Sequence, residues 1–123
     1  MIVGIGIDMI EVDRVLERVD KDNGFKEKVF SAGEIEFCEA NRKGENYAAR
    51  FAAKEAFLKA TGLGLLLGSD LSKIEIINDS NGKPSLKLGG DFEVQAEKNG
   101  WNIVHLSLSH LRTVACAVVI IER

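Results

Sequence analysis

The sequence predicts an α+β fold with a largely antiparallel sheet. Three helical patterns are grouped near the start of the chain, and short turns join most of the predicted strands, in the order βαααββαββ. The chain has 123 residues, of which 46% are hydrophobic and 28% charged, so residues 1–123 are expected to form one globular domain. A net charge of −3 argues against general binding of nucleic acid or anionic membranes.

Compartment can be predicted from the leader, the hydropathy and the cysteines. The first residues lack the basic leader of a signal peptide, and no stretch approaches the ~20 apolar residues of a membrane span. Cys38 and Cys116 have no Cys or His at metal-ligand spacing, so both are expected to be buried thiols. We therefore expect a cytoplasmic protein.

The first predicted strand alternates in polarity and ends in a carboxylate. Ile5 and Ile7 fall on one face. Gly4, Gly6 and Asp8 fall on the other face. Because the two glycines carry no side chains, another element can approach the backbone on the face that holds Asp8.

Three helices are predicted next. An apolar stripe gives the first helix, which ends at 23–24, and a capping box at 31–34 opens the second. A polar break over 41–46 precedes an alanine-rich helix over 47–60, which the glycines of 61–64 terminate.

The second half of the chain predicts two strand pairs around a short helix. Asn81-Gly82 is typical of a hairpin turn, and Asp91 could cap the helix. The expected ranges are strands at 73–78 and 84–88, a helix at 91–98, and strands at 103–108 and 114–121.

Two carboxylates are candidates for metal or acid–base chemistry. Asp8 is either the cap of the helix that follows or an oxygen ligand for a hard cation. Glu55 lies in the alanine-rich helix, where it either forms a surface pair with Lys59 or emerges from a packing face to act on a ligand.

Other polar groups could bind an anion or a partner. Arg50, Lys54 and Lys59 give the alanine-rich helix three cations ahead of the 62–64 loop, although the helix dipole there repels anions. His105 shares a strand face with serines, which is either the wall of a ligand site or a sheet face open to water.

A basic stripe runs along the first helix. It consists of Arg14, Arg18 and Lys21 at i, i+4 and i+7. Such a stripe is either a solvated face or a docking surface for an acidic partner.

Four motifs, taken together, resemble the holo-acyl-carrier-protein synthase family, the short trimeric class of 4'-phosphopantetheinyl transferases. They are GIGIDMIEVDR at 4–14, RFAAKEAFLKATGLG at 50–64, NGKP at 81–84 and HLSLSH at 105–110. The resemblance implies the fold of that superfamily, with a mostly antiparallel sheet packed against the long alanine-rich helix and shorter helices. Leu111 and Val114 depart from the family, which commonly has a polar residue and an aromatic there.

The resemblance also implies a reaction. The family transfers 4'-phosphopantetheine from coenzyme A to a serine of apo acyl carrier protein and releases adenosine 3',5'-bisphosphate, with Mg²⁺ at the diphosphate. Carried over residue by residue, Asp8 and Glu55 become the metal ligands, which agrees with the preference of Mg²⁺ for one or two carboxylates plus phosphate oxygens. Lys59 becomes the third catalytic residue, beside the phosphates. The serine proton would go to Glu55 or a metal-bound water, or else to His105.

Partner surfaces follow from the same resemblance. The stripe of Arg14, Arg18 and Lys21 matches the surface that receives the carrier protein, and a homotrimer with shared sites is implied. The coenzyme would be lined by Arg50, Lys59, Gly62, Gly64, Lys83, Pro84, His105 and Ser109. A non-catalytic coenzyme-binding module and a purely structural oligomer remain the alternative hypotheses.

Overall fold

The computed structural model describes residues 1–63 and 70–123. Within them the elements are β1 (Ile2–Glu11), α1 (Val12–Asp20), α2 (Phe25–Val29), α3 (Ala32–Ala40), α4 (Lys43–Thr61), a 3-10 helix (Leu71–Lys73), β2 (Ile74–Asn78), β3 (Pro84–Leu88), α5 (Gly90–Asn99), β4 (Ile103–His110) and β5 (Val114–Glu122). None of these described helices has the length and hydropathy needed to cross a membrane.

The strands form two antiparallel sheets, which confirms the predicted fold class. One sheet has the order β1-β5-β4 and the other pairs β2 with β3. In the larger sheet, β5 lies between β1 and β4, and Asp8 stands opposite Ala117. The side chains of this sheet therefore divide into an inner face, which packs on α4, and an outer face.

The inner face lies against α4 at very short range because β1 has two glycines there. A Cβ on Gly4 would lie 1.8 Å from the carbonyl oxygen of Ala60, and one on Gly6 would lie 1.9 Å from that of Ala56. The predicted close approach to this face is therefore confirmed. The alanines of α4 contribute to the same contact, since short side chains on both elements let the backbones meet.

The outer face carries an apolar patch. Ile5, Ile7 and Met9 of β1 are 63%, 57% and 67% exposed. Their cross-strand neighbours on β5 are Ile120, Val118 and Cys116. A contiguous exposed patch of this kind is typical of an interaction surface.

Several predicted boundaries are wrong. β1 continues three residues beyond Asp8, because Glu11 still pairs with Val114 across the sheet. α4 begins at Lys43 rather than at 47, since Gly44 fits against Val12 of α1 and the predicted polar break is already helical.

Two further differences concern short helices. α2 was not predicted, and it is a five-residue helix that begins after Gly24. α5 starts at Gly90 with Gly89 at its N-cap, so Asp91 lies in the first turn and is not the cap.

The two cysteines differ in burial. Cys38 is fully buried, and desolvation raises the pKa of its thiol to about 12. Cys116 is only half-buried, because it lies on the outer sheet face. The prediction of two buried thiols therefore holds for Cys38 and is too strong for Cys116.

The glycine contact yields a stability prediction. Gly6→Ala should lower the free energy of unfolding by about 3 kcal/mol or more, because its Cβ would overlap backbone that cannot move without displacing α4. Gly89→Ala is the matched control, since its Cβ would lie 3.8 Å from Lys73 and should cost no more than about 1 kcal/mol. Chemical denaturation of both variants measures the difference, and equal losses would contradict the packing argument.

Candidate functional site

Asp8, Glu55 and Lys59 come together where β1 crosses α4. The Lys59 ammonium donates to Asp8 Oδ1 and to the carbonyl oxygen of Ile7, both at 3.0 Å. Glu55 and Lys59 are four residues apart on α4 and thus share a helix face. Asp8 follows Gly4 and Gly6 on the inner face of β1, so the glycine contact sets its distance from α4.

Glu55 sits in an unfavourable environment for its own charge. Burial, followed by the negative charge of Asp8, raises the pKa of its carboxyl above the ordinary value of 4.5. The positive charges of Lys59 and Arg18 offset this increase only in part. Two carboxylates are thus held close enough to repel each other, an arrangement that a cation between them would stabilise.

These two carboxylates fit a magnesium ion. Mg²⁺ is commonly bound by one or two protein carboxylates, with substrate phosphates and water supplying the other oxygens. Within residues 1–63 and 70–123, no cluster of three or more His, Cys, Asp or Glu side chains could hold a metal ion without such help. The donor set at Asp8 and Glu55 therefore suits an ion that is shared with a phosphate-bearing substrate.

The structure argues against the purely structural interpretations of Asp8 and Glu55. The N-cap of α1 is Glu11, without a side-chain cap, so the interpretation of Asp8 as a helix cap is wrong. The ammonium of Lys59 pairs with Asp8 across elements, so this lysine is not simply the partner of a surface pair with Glu55.

α4 ends one turn after Lys59. Gly62 has a φ of 71°, which ends the helix, and a Cβ there would meet no atom of the described residues within 4 Å. The predicted coenzyme residue Gly64 lies outside the described residues. Lys54, predicted as one of three cations available to phosphate, is fully buried and bonded to Glu34, so that prediction is wrong for Lys54.

Arg50 lies away from Asp8, Glu55 and Lys59. Its side chain is 2% exposed, its guanidinium stacks 4.4 Å from the centre of the Phe37 ring, and it borders a cavity of about 310 Å³. Asp79 lines the same cavity and accepts a hydrogen bond from the Lys83 amide at 2.9 Å. Arg50 is thus grouped with the turn that leads to Lys83 and Pro84, away from the face of α4 that carries Glu55.

His105 and Ser109 lie on the outer face of the larger sheet. They stand opposite Ile120 and Cys116, whose side chains point away from α4. His105 Nε2 is 2.7 Å from Glu122 Oε2, and this contact lowers the pKa of Glu122. Those predicted coenzyme residues of one chain that the structure describes therefore fall into three separate groups.

Arg14 and Arg18 of the predicted basic stripe lie on α1, but Lys21 is its C-cap with an extended backbone, because the helix ends at Asp20 and not at the predicted 23–24. Arg14 and Lys21 are exposed, with Glu11 and Glu17 as neighbours at 3.8 Å and 3.7 Å. Arg18 lies near enough to Glu55 for its charge to lower the pKa of that carboxyl.

Sequence reasoning missed the role of Glu34. It was recognised as the capping-box residue of α3, and that cap is confirmed, but the same carboxylate also binds the buried Lys54. The available signal was a lysine within an alanine-rich stretch that is otherwise suited to packing.

Comparison with known proteins gives the family. The family model described as the 4'-phosphopantetheinyl transferase superfamily matches residues 4–119. The chain belongs to this superfamily. A holo-[acyl-carrier-protein] synthase of Syntrophus aciditrophicus is 49% identical over 125 residues, which cover 99% of this chain and 97% of that protein.

Solved structures of this superfamily share the fold. The holo-[acyl-carrier-protein] synthase of Neisseria meningitidis is 34% identical with a TM-score of 0.90, and the match covers 100% of both chains. The enzyme of Bacillus anthracis, solved in complex with CoA (3',5'-ADP), is 38% identical with a TM-score of 0.80, covering 99% of this chain and 97% of that one.

The environment of Glu55 predicts a pH-dependent stability. A carboxyl whose pKa is higher in the folded than in the unfolded state binds its proton more tightly when folded, so stability falls as the pH rises through that pKa. Glu55→Gln should therefore raise the melting temperature at pH 7 by about 1–3 °C in buffer free of divalent cations. This gain should shrink towards pH 4.5.

Thermal melts between pH 4.5 and 7.5 test this expectation. Glu36→Gln, at an exposed position on α3, is the control and should change little at any pH. A gain at Glu55→Gln that did not vary with pH would show that burial and the charge of Asp8 do not raise the pKa of Glu55.

Proposed function

We propose that this protein transfers the 4'-phosphopantetheine group of coenzyme A to a serine of apo acyl carrier protein and releases adenosine 3',5'-bisphosphate. The observation that carries the proposal is the meeting of Asp8, Glu55 and Lys59 at one point in a chain of this superfamily. The Bacillus anthracis relative, solved with CoA (3',5'-ADP), supports coenzyme A as the donor.

Asp8 and Glu55 would hold the magnesium ion. When bound, the ion supplies Lewis-acid stabilisation of charge on the diphosphate. Without it, the two carboxylates would repel the phosphates of the donor as well as each other. A cation held by both carboxylates would remove the repulsion that, after burial, raises the pKa of Glu55.

Lys59 would stabilise the transferring phosphoryl group. The Lys59 side chain is more than half exposed, and two oxygens of β1 already fix its ammonium. The ammonium can therefore reach a ligand without a large rearrangement. Positive charge aimed at phosphoryl oxygens stabilises the transition state of such transfers. Gly62 ends α4 one turn after this lysine, so a diphosphate held by Lys59 would lie beside the last turn of the helix.

For the group that takes the proton from the attacking serine, our first choice is Glu55 or a water held by the ion. Because one carboxylate oxygen is sufficient to ligate a cation, the other oxygen of Glu55 stays free to accept a proton. His105, the second choice, lies on the opposite sheet face of the same chain and contacts Glu122. The nucleophile comes from the carrier, so no covalent enzyme intermediate is needed.

A homotrimer would bring the separate coenzyme groups together. The exposed apolar patch of Ile5, Ile7 and Met9 shares the outer face with His105 and Ser109. When copies associate in a closed ring through different faces, the outer face of one copy contacts another surface of its neighbour. His105 and Ser109 of one chain could then complete the coenzyme site of the next.

The carrier protein would dock on α1. The stripe of Arg14, Arg18 and Lys21 begins next to the strand that carries Asp8. The positive charge of Arg18 is close enough to Glu55 to lower the pKa of its carboxyl. An acidic carrier bound to this helix would have its serine delivered towards the carboxylates. A cytoplasmic location and the lack of nucleic-acid binding remain predictions.

The decisive experiment is a transfer assay read by mass spectrometry. Wild-type protein with coenzyme A, Mg²⁺ and an apo carrier should add phosphopantetheine to the carrier, and omission of Mg²⁺ should abolish the adduct. Asp8→Asn and Glu55→Gln should reduce turnover on the order of a hundredfold or more, because each removes a cation ligand. Glu36→Gln is the matched acidic control and should keep full activity. A wild-type protein that leaves several carriers unmodified would refute the proposed function.

Association can be tested independently by light scattering. Wild-type protein should have a mass three times that of one chain, and Ile5→Glu should reduce it to that of a monomer because it places a charge in the apolar patch. Val94→Glu, at a 60% exposed position on α5, is the control and should leave the mass unchanged. A monomeric wild-type protein, or a trimeric Ile5→Glu variant, would contradict the trimer.

A further inference from the structure

Lys54 is a fully buried lysine immediately before Glu55. Its side chain and that of Glu34 are both 0% exposed, and the two charges are 2.7 Å apart. A buried ion pair is a poor source of stability, since well-packed apolar residues of similar volume often serve as well or better. The presence of this pair therefore asks for another explanation.

The Lys54 ammonium uses all three of its hydrogens. It donates to Glu34 Oε1 at 2.7 Å, to the Leu71 carbonyl oxygen at 2.9 Å and to the Ile74 carbonyl oxygen at 2.7 Å. These acceptors belong to α3, to the 3-10 helix and to the first residue of β2. One side chain thus ties α4 to three other elements.

Glu34 extends the same network. Its Oε1 also accepts a hydrogen bond from the Ser31 amide at 2.9 Å, which closes the capping box of α3. Its Oε2 accepts a hydrogen bond from the Ile76 amide of β2 at 3.0 Å. The charges are therefore completely hydrogen-bonded, and their geometry is set by backbone groups rather than by flexible side chains.

This network and β1 contact α4 on different sides of the helix. On one side, the backbone at Ala56 and Ala60 touches the two glycines of β1. On another side, Lys54 is fixed to α3 and β2. Consecutive helical residues point about 100° apart, so fixing the direction of Lys54 also fixes the direction of Glu55.

We infer that the Lys54–Glu34 pair is a positioning device that sets the rotation of α4 and so holds Glu55 against Asp8. The inference rests on the proposed function for its catalytic consequence. Metal and phosphoryl sites need their ligands placed within about 0.5 Å, and an error of about 1 Å can cost a hundredfold in rate. A fully hydrogen-bonded charge pair resists helix rotation better than an apolar contact that can slide.

The test compares Lys54→Met, Glu34→Gln and the double variant. Each single change leaves a buried polar partner unmatched and should lower the melting temperature by roughly 10 °C or more. The double variant removes both charges and should recover part of that loss. If the pair positions Glu55, the double variant should still show a kcat about ten- to a hundredfold below wild type, with the KM for the carrier unchanged.

A readout besides activity is the affinity for Mg²⁺. Calorimetric titration of Mg²⁺ into protein saturated with coenzyme A should give a dissociation constant about tenfold or more weaker for the double variant than for wild type. The Ile76 amide should exchange with solvent faster in Glu34→Gln, since it loses a charged acceptor.

Tyr47→Phe is the matched control. It removes another hydrogen bond between α3 and α4, the 2.7 Å contact of the Tyr47 hydroxyl with Glu39, without touching β2 or the 3-10 helix. It should lower the melting temperature slightly and leave kcat and Mg²⁺ affinity at wild-type values.

Two outcomes separate this inference from the proposed function. If the double variant regains wild-type kcat and Mg²⁺ affinity, the pair has only a structural role and the inference is overturned. If wild-type protein transfers no phosphopantetheine, the proposed function fails. The positioning role is then judged by Mg²⁺ affinity alone: weaker binding in the double variant supports it, and unchanged binding overturns it.

Discussion

The site depends on one contact, the backbone of β1 resting directly on the backbone of α4. Gly4 and Gly6 make it possible, because any Cβ there would lie within 2 Å of a carbonyl oxygen of the helix. Asp8 is the next residue on the same strand face, so the contact brings its carboxylate to α4. The alanines of the helix contribute to the same contact. The short distance between β1 and α4 therefore depends on small side chains on the helix and on the lack of side chains at the two glycines.

That spacing has an electrostatic consequence. Asp8 and Glu55 are placed where their negative charges repel each other, and the positive charges of Lys59 and Arg18 compensate only part of the repulsion. A protein selected for stability alone would gain by replacing one of these carboxylates. Local conflict of this kind is expected at functional sites, where the surrounding structure supplies the stability that the site gives up.

Local patterns predicted the parts of the fold that local physics determines. The capping box of Ser31 and Glu34, the alternation of β1 and the turn at Gly82 all depend on residues close in sequence, and all are found. Helix and strand ends were predicted less well. The start of α4 at Lys43 depends on Gly44 meeting α1, and the last residues of β1 depend on pairing with β5, neither of which a local pattern contains.

The site residues show the same division. The sequence singled out Asp8, Glu55 and Lys59 because strand and helix periodicity put each on a definite face, and packing then brought those faces together. The burial of Lys54 could not be predicted in this way. A lysine is buried on this helix because its ammonium pairs with Glu34, a carboxylate twenty residues earlier in the chain. Likewise, only the register of β4 against β5 shows that His105 and Ser109 lie on the sheet face away from Asp8.

The two faces of β1 couple assembly to chemistry in the proposed trimer. Ile7 points outward into the apolar patch, and Asp8 points inward to α4. The Lys59 ammonium binds the backbone carbonyl oxygen of the first and the carboxylate of the second. A neighbour that packs on the patch would therefore restrain the same strand that holds the lysine and the aspartate. Since β1 reaches α4 through glycines that leave no side chain between the two backbones, such a restraint on its outer face would act on the spacing of the charged groups on its inner face.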